Sequence, residues 1–125
     1  MTNFLCPVCK KPLAIEGRDA VCPNGHLFDC AKEGYFYLLP PKSNAPGDNA
    51  EMVRARRDFL DCDFYAPLAD AIASEINSRF ANRPISLLDA GAGTGYYLSR
   101  IIEARRNESD VYAAVDISKN DVKIC

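Results

Sequence analysis

Four cysteines and the single histidine of this 125-residue chain fall within its first thirty residues. Their spacing is Cys6-x2-Cys9-x12-Cys22-x3-His26, with each pair inside a short segment of turn-forming residues. Two such turns, or knuckles, bring four side chains to one ion, and these ligand types at this spacing are typical of tetrahedral zinc. The pattern predicts a small zinc-ribbon-like β module that depends on its metal, because its apolar residues are few.

The fourth zinc ligand has two readings. Cys30 lies four residues after His26, and its thiolate would give an all-cysteine site. We favour His26 because it completes the second knuckle, which leaves Cys30 as a small buried side chain. Four protein ligands close the coordination shell, so we predict a structural and not a catalytic zinc.

Charge and apolar content narrow the class of protein. The chain has 15 Lys and Arg against 17 Asp and Glu, a net charge of −2, so RNA affinity would rest on local clusters around Lys10, Lys11, Arg18 and Arg54 to Arg57. No apolar run approaches the roughly 20 residues of a membrane helix. The N-terminus lacks a secretory signal pattern. We therefore expect a cytoplasmic protein with reduced cysteines and no membrane partner.

The stretch Pro40–Gly47 is rich in Pro, Gly and small polar residues, which interrupt any periodic pattern. It predicts a zinc-binding module over residues 1–39, a linker over 40–47 and a second domain over 48–125.

An aromatic run precedes the linker at Tyr35, Phe36 and Tyr37, close to Lys32. We expect a short strand whose rings cover the metal site, because aromatic residues favour strands and burial. Stacking on unpaired bases is the alternative.

Two helices are predicted after the linker. Asp48, with Glu51 three residues later, resembles a capping arrangement and predicts a helix that runs to about Leu60. A second helix is predicted to begin near Pro67. Its buried stripe is predicted from apolar residues at every fourth position: Leu68, Ile72, Ile76 and Phe80.

A glycine-rich turn separates a predicted strand from a predicted helix. The strand is Ile85–Asp89, and the turn after it reads Gly91-x-Gly93-x-Gly95. Glycines at alternate positions let the backbone turn sharply and approach a ligand that a Cβ would block. This order of elements predicts the opening of a nucleotide-type α/β fold.

Two acidic residues indicate which ligand this turn takes. Asp89 would repel a pyrophosphate but would attract a cationic amino-acid group. Asp116, 21 residues after Gly95, ends the second predicted strand, Val111–Val115, where a carboxylate accepts hydrogen bonds from ribose hydroxyls. The pair favours S-adenosylmethionine over NAD or ATP, and a generic Rossmann-like turn for another ligand is the alternative.

Taken together, these motifs resemble the bacterial ribosomal RNA large subunit methyltransferase A family, guanine-N1 methyltransferases of 23S rRNA. The resemblance covers essentially the whole chain, through the segments Cys6–His26, Asp29–Pro40, Gly47–Pro67, Leu88–Gly91 and Gly95–Lys119. It implies an α/β chain: a small N-terminal zinc-ribbon-like β module followed by a truncated Rossmann-like (class I) S-adenosylmethionine-dependent methyltransferase domain.

The resemblance also implies site residues and partners. The implied zinc ligands are Cys6, Cys9, Cys22 and His26. The implied cofactor pocket consists of Asp89, Gly91, Gly93, Thr94, Gly95 and Asp116, with Tyr65 covering the cofactor. A homodimer whose zinc modules help to grip a 23S rRNA hairpin is implied as well.

The implied reaction moves a methyl group from S-adenosylmethionine to N1 of a guanine in that hairpin. N1 lies on the Watson–Crick edge, so the base must be unpaired or flipped out. No residue of the chain is a convincing proton acceptor, so the catalytic residues stay unassigned. Because the motifs include only the opening β-α-β unit, we expect this chain to be incomplete and inactive alone.

Two alternative functions stay open at this point. One is a zinc-ribbon nucleic-acid-binding module joined to a non-catalytic cofactor half-domain. The other is a methyltransferase that acts on a neighbouring guanine or on a small molecule.

Overall fold

The structure, a computed structural model, forms two compact units, Met1–Ala45 and Pro46–Cys125. It describes three stretches of the chain: residues 4–40, 47–81 and 83–123. Most of the predicted linker, residues 41–46, lies outside the described residues. Each unit is therefore considered by itself.

The first unit is built on a small antiparallel sheet. Its strands are β1 (Ala14–Glu16), β2 (Asp19–Val21) and β3 (Leu27–Phe28), in the spatial order β1-β2-β3. A two-residue turn joins β1 to β2, and Gly17 in this turn has φ +66°, a value that glycine adopts without strain. The short strands leave little surface for an apolar core.

The core of the first unit includes two of the predicted metal ligands. Its buried side chains are Cys6, Leu13, Ala20 and Cys22, each at most 3% exposed. Half-buried side chains pack around them: Phe4, Cys9, Phe28, Phe36 and Leu38. The sulfur atoms therefore lie where a larger domain would place aliphatic side chains.

The strand expected at the aromatic run does not form. The residues Ala31 to Tyr35 make a tight turn, in which Ala31 N–H donates to the Tyr35 carbonyl at 2.9 Å. This turn leaves only an isolated bridge between Cys30 and Phe36. Phe36 packs on the core as expected, whereas Tyr37 is 51% exposed and is not among the side chains that pack on this core.

The second unit begins with two helices, α1 (Ala50–Leu60) and α2 (Ala66–Phe80). The predicted N-terminal cap of α1 is wrong by one residue, because Asn49 and not Asp48 caps the helix. The Asn49 side-chain oxygen accepts hydrogen bonds from two first-turn N–H groups at 3.0 and 2.9 Å. The Asp48 carboxylate is turned instead toward Arg56 of α1, with which it forms an ion pair.

A parallel β-α-β arrangement follows the two helices. It consists of β4 (Ser86–Ala90), α3 (Tyr96–Arg105) and β5 (Val111–Val115), and a short helix α4 (Lys119–Val122) comes next. The predicted strand, turn, helix and strand are confirmed, and the chain is a mixed α/β protein. Parallel pairing places the carboxyl ends of β4 and β5 at one edge. No helix within the described stretches is both long and apolar enough to span a membrane.

The predicted buried stripe of α2 is wrong, although the helix starts with Pro67 in its first turn as expected. Three residues of that stripe are at least 36% exposed: Leu68, Ile72 and Phe80. The buried residues of α2 are Ala69 and Ala73, and α2 packs against α3. Small side chains allow close approach of two helices, so this face is buried in place of the bulkier one.

A buried ion pair joins the end of α3 to the start of β5. The side chains of Arg105 and Asp110 are 1% and 0% exposed, and they form a bidentate pair. Asp110 also accepts hydrogen bonds from Ile85 N–H at 2.9 Å and from the Tyr112 hydroxyl at 2.8 Å. The hydrogen bond from Arg105 holds the pKa of Asp110 well below its usual range, although burial opposes ionisation.

Candidate functional site

Two tight turns present the predicted metal ligands. In the first turn, Lys10 N–H donates to the Cys6 carbonyl at 2.9 Å. In the second, Gly25 N–H donates to the Cys22 carbonyl at 2.9 Å, and Cys22 N–H donates to the His26 carbonyl at 3.1 Å. Gly25 has φ +79°, which suits glycine. The knuckles inferred from the spacing are therefore present.

The four ligand atoms form one cluster, and all of them lie within 4.8 Å of one another: the Sγ atoms of Cys6, Cys9 and Cys22 and a ring nitrogen of His26. The Sγ atoms of Cys9 and Cys22 are 3.6 Å apart, and His26 Nδ1 is 3.6 Å from Cys6 Sγ and 3.3 Å from Cys22 Sγ. Ligands at ordinary zinc distances in a tetrahedron are separated by about 3.8 Å for two sulfurs and about 3.6 Å for sulfur and nitrogen. The cluster fits a zinc ion with four protein ligands.

The thiols of this cluster compete for protons. Burial disfavours the Cys6 thiolate, yet the backbone N–H groups of Cys9 and Val8 lower the pKa of Cys6 from 9.0 to about 7. The backbone of Lys11 favours the Cys9 thiolate, but burial and the sulfurs of Cys6 and Cys22 raise the pKa of Cys9 above 9.0. A bound cation removes this conflict, because metal ligation stabilises every thiolate at once.

Cys30 lies outside the ligand cluster. Its Sγ donates to the Ala31 carbonyl at 3.4 Å, and its backbone N–H donates to Asp19 Oδ1 at 3.3 Å. The cluster contains His26 in its place. Of the two readings left open by the spacing, the geometry favours the Cys3His set.

The glycine turn occupies the edge at which β4 and β5 end. Gly91, Gly93 and Gly95 have φ values of +81°, +55° and +78°, in the region that side chains disfavour. Gly91 N–H donates to the Val115 carbonyl at 2.8 Å, which ties the turn to the end of β5. Thr94 is half-buried within the turn. A side chain at Gly91 would meet no described atom within 4 Å, so the backbone there is open to a ligand.

The two predicted cofactor acids meet at this turn. Asp116 Oδ2 accepts a hydrogen bond from Gly93 N–H at 2.8 Å, and Oδ1 accepts one from Ser118 N–H at 2.7 Å. Partial burial and the negative charge of Asp116 raise the pKa of Asp89 above its ordinary value. The edge therefore carries two interacting carboxylates that a cationic group would stabilise.

Tyr65 lies in an exposed aromatic cluster at the α1–α2 connection. Its ring meets Phe59 edge-to-face at 5.9 Å, and Phe59 stacks on Phe64 at 5.5 Å. This connection is tied to α3 through an ion pair between Asp63 and Arg100. Tyr65 is 43% exposed, so its ring is free to pack on a further group.

Two residues near the glycine turn were missed from the sequence. Asp121 on α4 is 1% exposed, and Arg56 on α1 faces it, with Nη1 3.8 Å from Oδ1. The sequence suggested only that Arg56 belongs to the basic cluster from Arg54 to Arg57. No local pattern indicates this pairing, because the two residues are 65 positions apart.

Comparison with known proteins identifies the first unit. A sequence profile described as the N-terminal zinc ribbon of RlmA matches residues 4–44. The N-terminal unit is therefore similar in sequence to the RlmA zinc ribbon. The family resemblance inferred from the sequence is confirmed by this match and by relatives that align with nearly the whole chain.

Three curated relatives align along most of the chain. The 23S rRNA (guanine(748)-N(1))-methyltransferase of Streptomyces fradiae is 36% identical over 119 residues, which cover 94% of this chain and 42% of the relative. A Micromonospora griseorubida protein, provisionally named a 23S rRNA (guanine-N(1)-)-methyltransferase, is 37% identical over 136 residues, covering 95% and 45%. A Bacillus subtilis (strain 168) protein of the same provisional name, YxjB, is 30% identical over 125 residues, covering 95% and 44%. The chain spans less than half the length of each relative.

Proposed function

We propose that this chain is the zinc-binding and cofactor-binding part of an S-adenosylmethionine-dependent methyltransferase that modifies N1 of a guanine in a 23S rRNA hairpin. The names of the relatives support the rRNA substrate and the atom that receives the methyl group. The second unit is then the opening of a Rossmann-like class I domain, which begins near residue 48 after a zinc module over residues 1–39 and a linker over 40–47.

The juxtaposition of Asp89 and Asp116 carries the cofactor assignment. The two carboxylates end adjacent parallel strands, and the charge of one disfavours ionisation of the other. A pyrophosphate would add negative charge at this edge, whereas the ammonium and sulfonium groups of S-adenosylmethionine would offset it. The open backbone at Gly91 supports the same reading, since a ligand can lie directly against it.

The residues present fit distinct roles toward this cofactor. Asp116 keeps lone pairs available for ribose hydroxyls beyond the two backbone hydrogen bonds that it accepts. Asp89 attracts the cationic amino-acid group, and the exposed ring of Tyr65 packs over the cofactor. When bound, S-adenosylmethionine would supply a methyl group to N1 of the guanine in line with the breaking S–CH3 bond, with S-adenosylhomocysteine as the leaving group and the N1 proton released to a base or to water. The base must be flipped out of any pairing to present N1.

The zinc site has a structural role in this proposal. Four protein ligands leave no coordination position for water or substrate, so the ion holds the module together. Lys10, Lys11 and Arg18 are exposed on the same module and offer positive charge to RNA phosphates. The homodimer and the cytoplasmic location expected from the sequence stay predictions.

Calorimetric titration of the 125-residue chain with S-adenosylmethionine tests the cofactor. We expect Asp89→Asn and Asp116→Asn each to weaken binding by about tenfold or more, which corresponds to about 1.4 kcal/mol. Glu103→Gln, a matched change at an exposed acid of α3, should leave binding unchanged. Binding of ATP or NAD as tight as that of S-adenosylmethionine would contradict the assignment, as would the absence of binding by the unaltered chain.

Primer extension on large-subunit rRNA tests the substrate, with the full-length gene deleted and then restored. An N1 methyl blocks pairing, so the deletion should abolish one reverse-transcriptase stop at a guanine and the restored gene should return it. An altered stop at an adjacent guanine supports the neighbouring-site alternative. An unchanged stop pattern would refute rRNA methylation and favour a small-molecule substrate.

A further inference from the structure

A second charged pair lies beneath the glycine turn. Asp121 is 1% exposed, and its Oδ1 accepts no hydrogen bond from the described part of the chain. The guanidinium of Arg56 faces this oxygen at 3.8 Å and also forms an ion pair with Asp48. A buried carboxylate oxygen without a hydrogen bond is costly. Among the described residues, Arg56 is the cation that faces it at ion-pair distance, so the energy of Asp121 depends strongly on Arg56.

Asp121 lies against the middle glycine of the turn. A Cβ built on Gly93 would lie 3.9 Å from Asp121 Oδ1, which is ordinary van der Waals distance. Gly93 N–H is the donor to Asp116 Oδ2 at 2.8 Å. The buried carboxylate therefore lies close to the residue that donates to the predicted ribose-binding acid.

The start of α1 is docked on the turn between β5 and α4. The Asp48 carbonyl accepts hydrogen bonds from the Ser118 hydroxyl at 3.2 Å and from the Asn120 amide at 3.0 Å. A Cβ on Gly47 would lie only 2.7 Å from Ser118 Cα, so the two backbones are in close contact. Ser118 N–H in turn donates to Asp116. Both oxygens of Asp116 thus accept from backbone near these groups: Ser118, which the segment before α1 contacts, and Gly93, which lies close to Asp121.

We propose that Arg56 and Asp121 are positioning residues for the cofactor site. This inference rests on the proposed function and names residues that act through Gly93 and Asp116. The Arg56 guanidinium neutralises the buried Asp121 carboxylate and keeps the β5–α4 turn closed under the glycine turn. Without Arg56, the turn must open to hydrate Asp121, because an uncompensated buried charge is strongly unfavourable. Opening breaks the hydrogen bond that orients Asp116.

Amide hydrogen exchange and calorimetry on the 125-residue chain test the pair. Arg56→Gln should speed exchange of the Gly93 and Ser118 amides by about tenfold and weaken S-adenosylmethionine binding by about tenfold. The Val111 amide, which donates to the Ile85 carbonyl just before β4, should keep its protection. Arg54→Gln removes the same charge from the same helix and should change neither measurement.

A second variant separates positioning from plain stability. Asp121→Asn removes the buried charge, so the double variant Arg56→Gln/Asp121→Asn should recover most of the Gly93 protection that Arg56→Gln loses. A structural role without positioning would instead lower protection evenly across the second unit and show no recovery. Either that result or an unchanged Gly93 exchange rate in Arg56→Gln would overturn the inference.

The exchange measurement needs no cofactor, so it distinguishes this inference from the proposed function. If the unaltered chain fails to bind S-adenosylmethionine, the cofactor proposal fails. The Gly93 and Ser118 amides still report in that case whether Arg56 and Asp121 hold the turn.

Discussion

In the first unit half of the buried core residues are also ligand residues, whereas in the second unit the buried apolar residues and the candidate site residues are different sets. Cys6 and Cys22 are half of the buried core around the metal cluster. The buried apolar residues described in the second unit include none of its candidate site residues: Val53, Ala69, Ala73, Leu98 and Ile101. The comparison teaches that the first unit needs its ligand in order to fold, while the second folds by packing and presents its site at one edge.

The largest effect should follow from removal of zinc. Cys22→Ser, or a strong chelator, should unfold the first unit, since structural zinc contributes on the order of 10 kcal/mol to small modules of this kind. The second unit should stay folded. Mass spectrometry measures the zinc content. The NMR chemical-shift dispersion of the Ala20 amide reports on the fold of the first unit, and that of the Leu98 amide reports on the second.

Cys30→Ser is the matched control, because Cys30 lies outside the cluster. This variant should retain its zinc and the NMR dispersion of its amide signals. A well-dispersed Ala20 signal in the metal-free chain would contradict the claim that the first unit needs zinc in order to fold.

The next largest effect should come from Asp110→Asn in the second unit. The folded-state pKa of Asp110 lies below its ordinary value of 3.8, so its stabilisation is present above pH 3.8 and is lost as pH falls toward the folded-state value. The variant should melt at least several degrees lower at neutral pH. Its stability should also change less than that of the unaltered chain as the pH is lowered through the acidic range. Thermal unfolding followed by circular dichroism measures both.

Glu108→Gln, an exposed neighbour of this ion pair, should leave the melting temperature unchanged. Zinc content should be unaffected in both variants. Loss of zinc in Asp110→Asn would show that the two units do not fold independently.

A smaller effect is expected at the cap of α1. Asn49→Ala removes the acceptor of two first-turn N–H groups and should lower the free energy of unfolding of the second unit by about 1 kcal/mol. Asn49→Asp keeps the acceptor and should keep the stability. Urea unfolding measures the change, and equal stability of the Ala and Asp variants would contradict the assigned cap.

The smallest effect should be a gain of stability in Asp89→Asn. The folded-state pKa of Asp89 is raised, so its favourable contribution is full below its ordinary value of 3.8 and is lost as pH rises through the folded-state value. Removing the charge should therefore raise the melting temperature by roughly 2 °C at neutral pH, while cofactor binding weakens. A lower melting temperature in this variant would contradict the repulsion between Asp89 and Asp116.

Local chemistry explains which elements the sequence predicted well. The ligands from Cys6 to His26 are presented by two tight turns, and each turn is formed by residues that are adjacent in sequence. The strand, turn and helix around Gly93 depend on glycine and on short apolar runs in the same way. These features need no knowledge of what packs against them, so their residues were predictable.

Two of the errors involve a choice between neighbouring alternatives. Asp48 and Asn49 are both good helix caps, and the cap went to Asn49 while Asp48 paired with Arg56. The aliphatic face of α2 and its alanine face are both apolar. In the structure α2 packs against α3, and the buried residues of α2 are Ala69 and Ala73. Propensity alone does not separate such alternatives, because distant elements select between them.

The sequence by itself therefore determined the three cysteine ligands, the β-α-β order and the two acids at the strand ends, since each follows from local spacing along the chain. The choice of His26 over Cys30 as the fourth ligand came from the geometry of the cluster. Only the tertiary structure decided that Arg56 meets the buried Asp121 and that Asp116 is held through Gly93 and Ser118. Burial and ion pairing depend on the three-dimensional arrangement of the helices and strands. Contacts between residues far apart in sequence therefore exist only after these elements have packed.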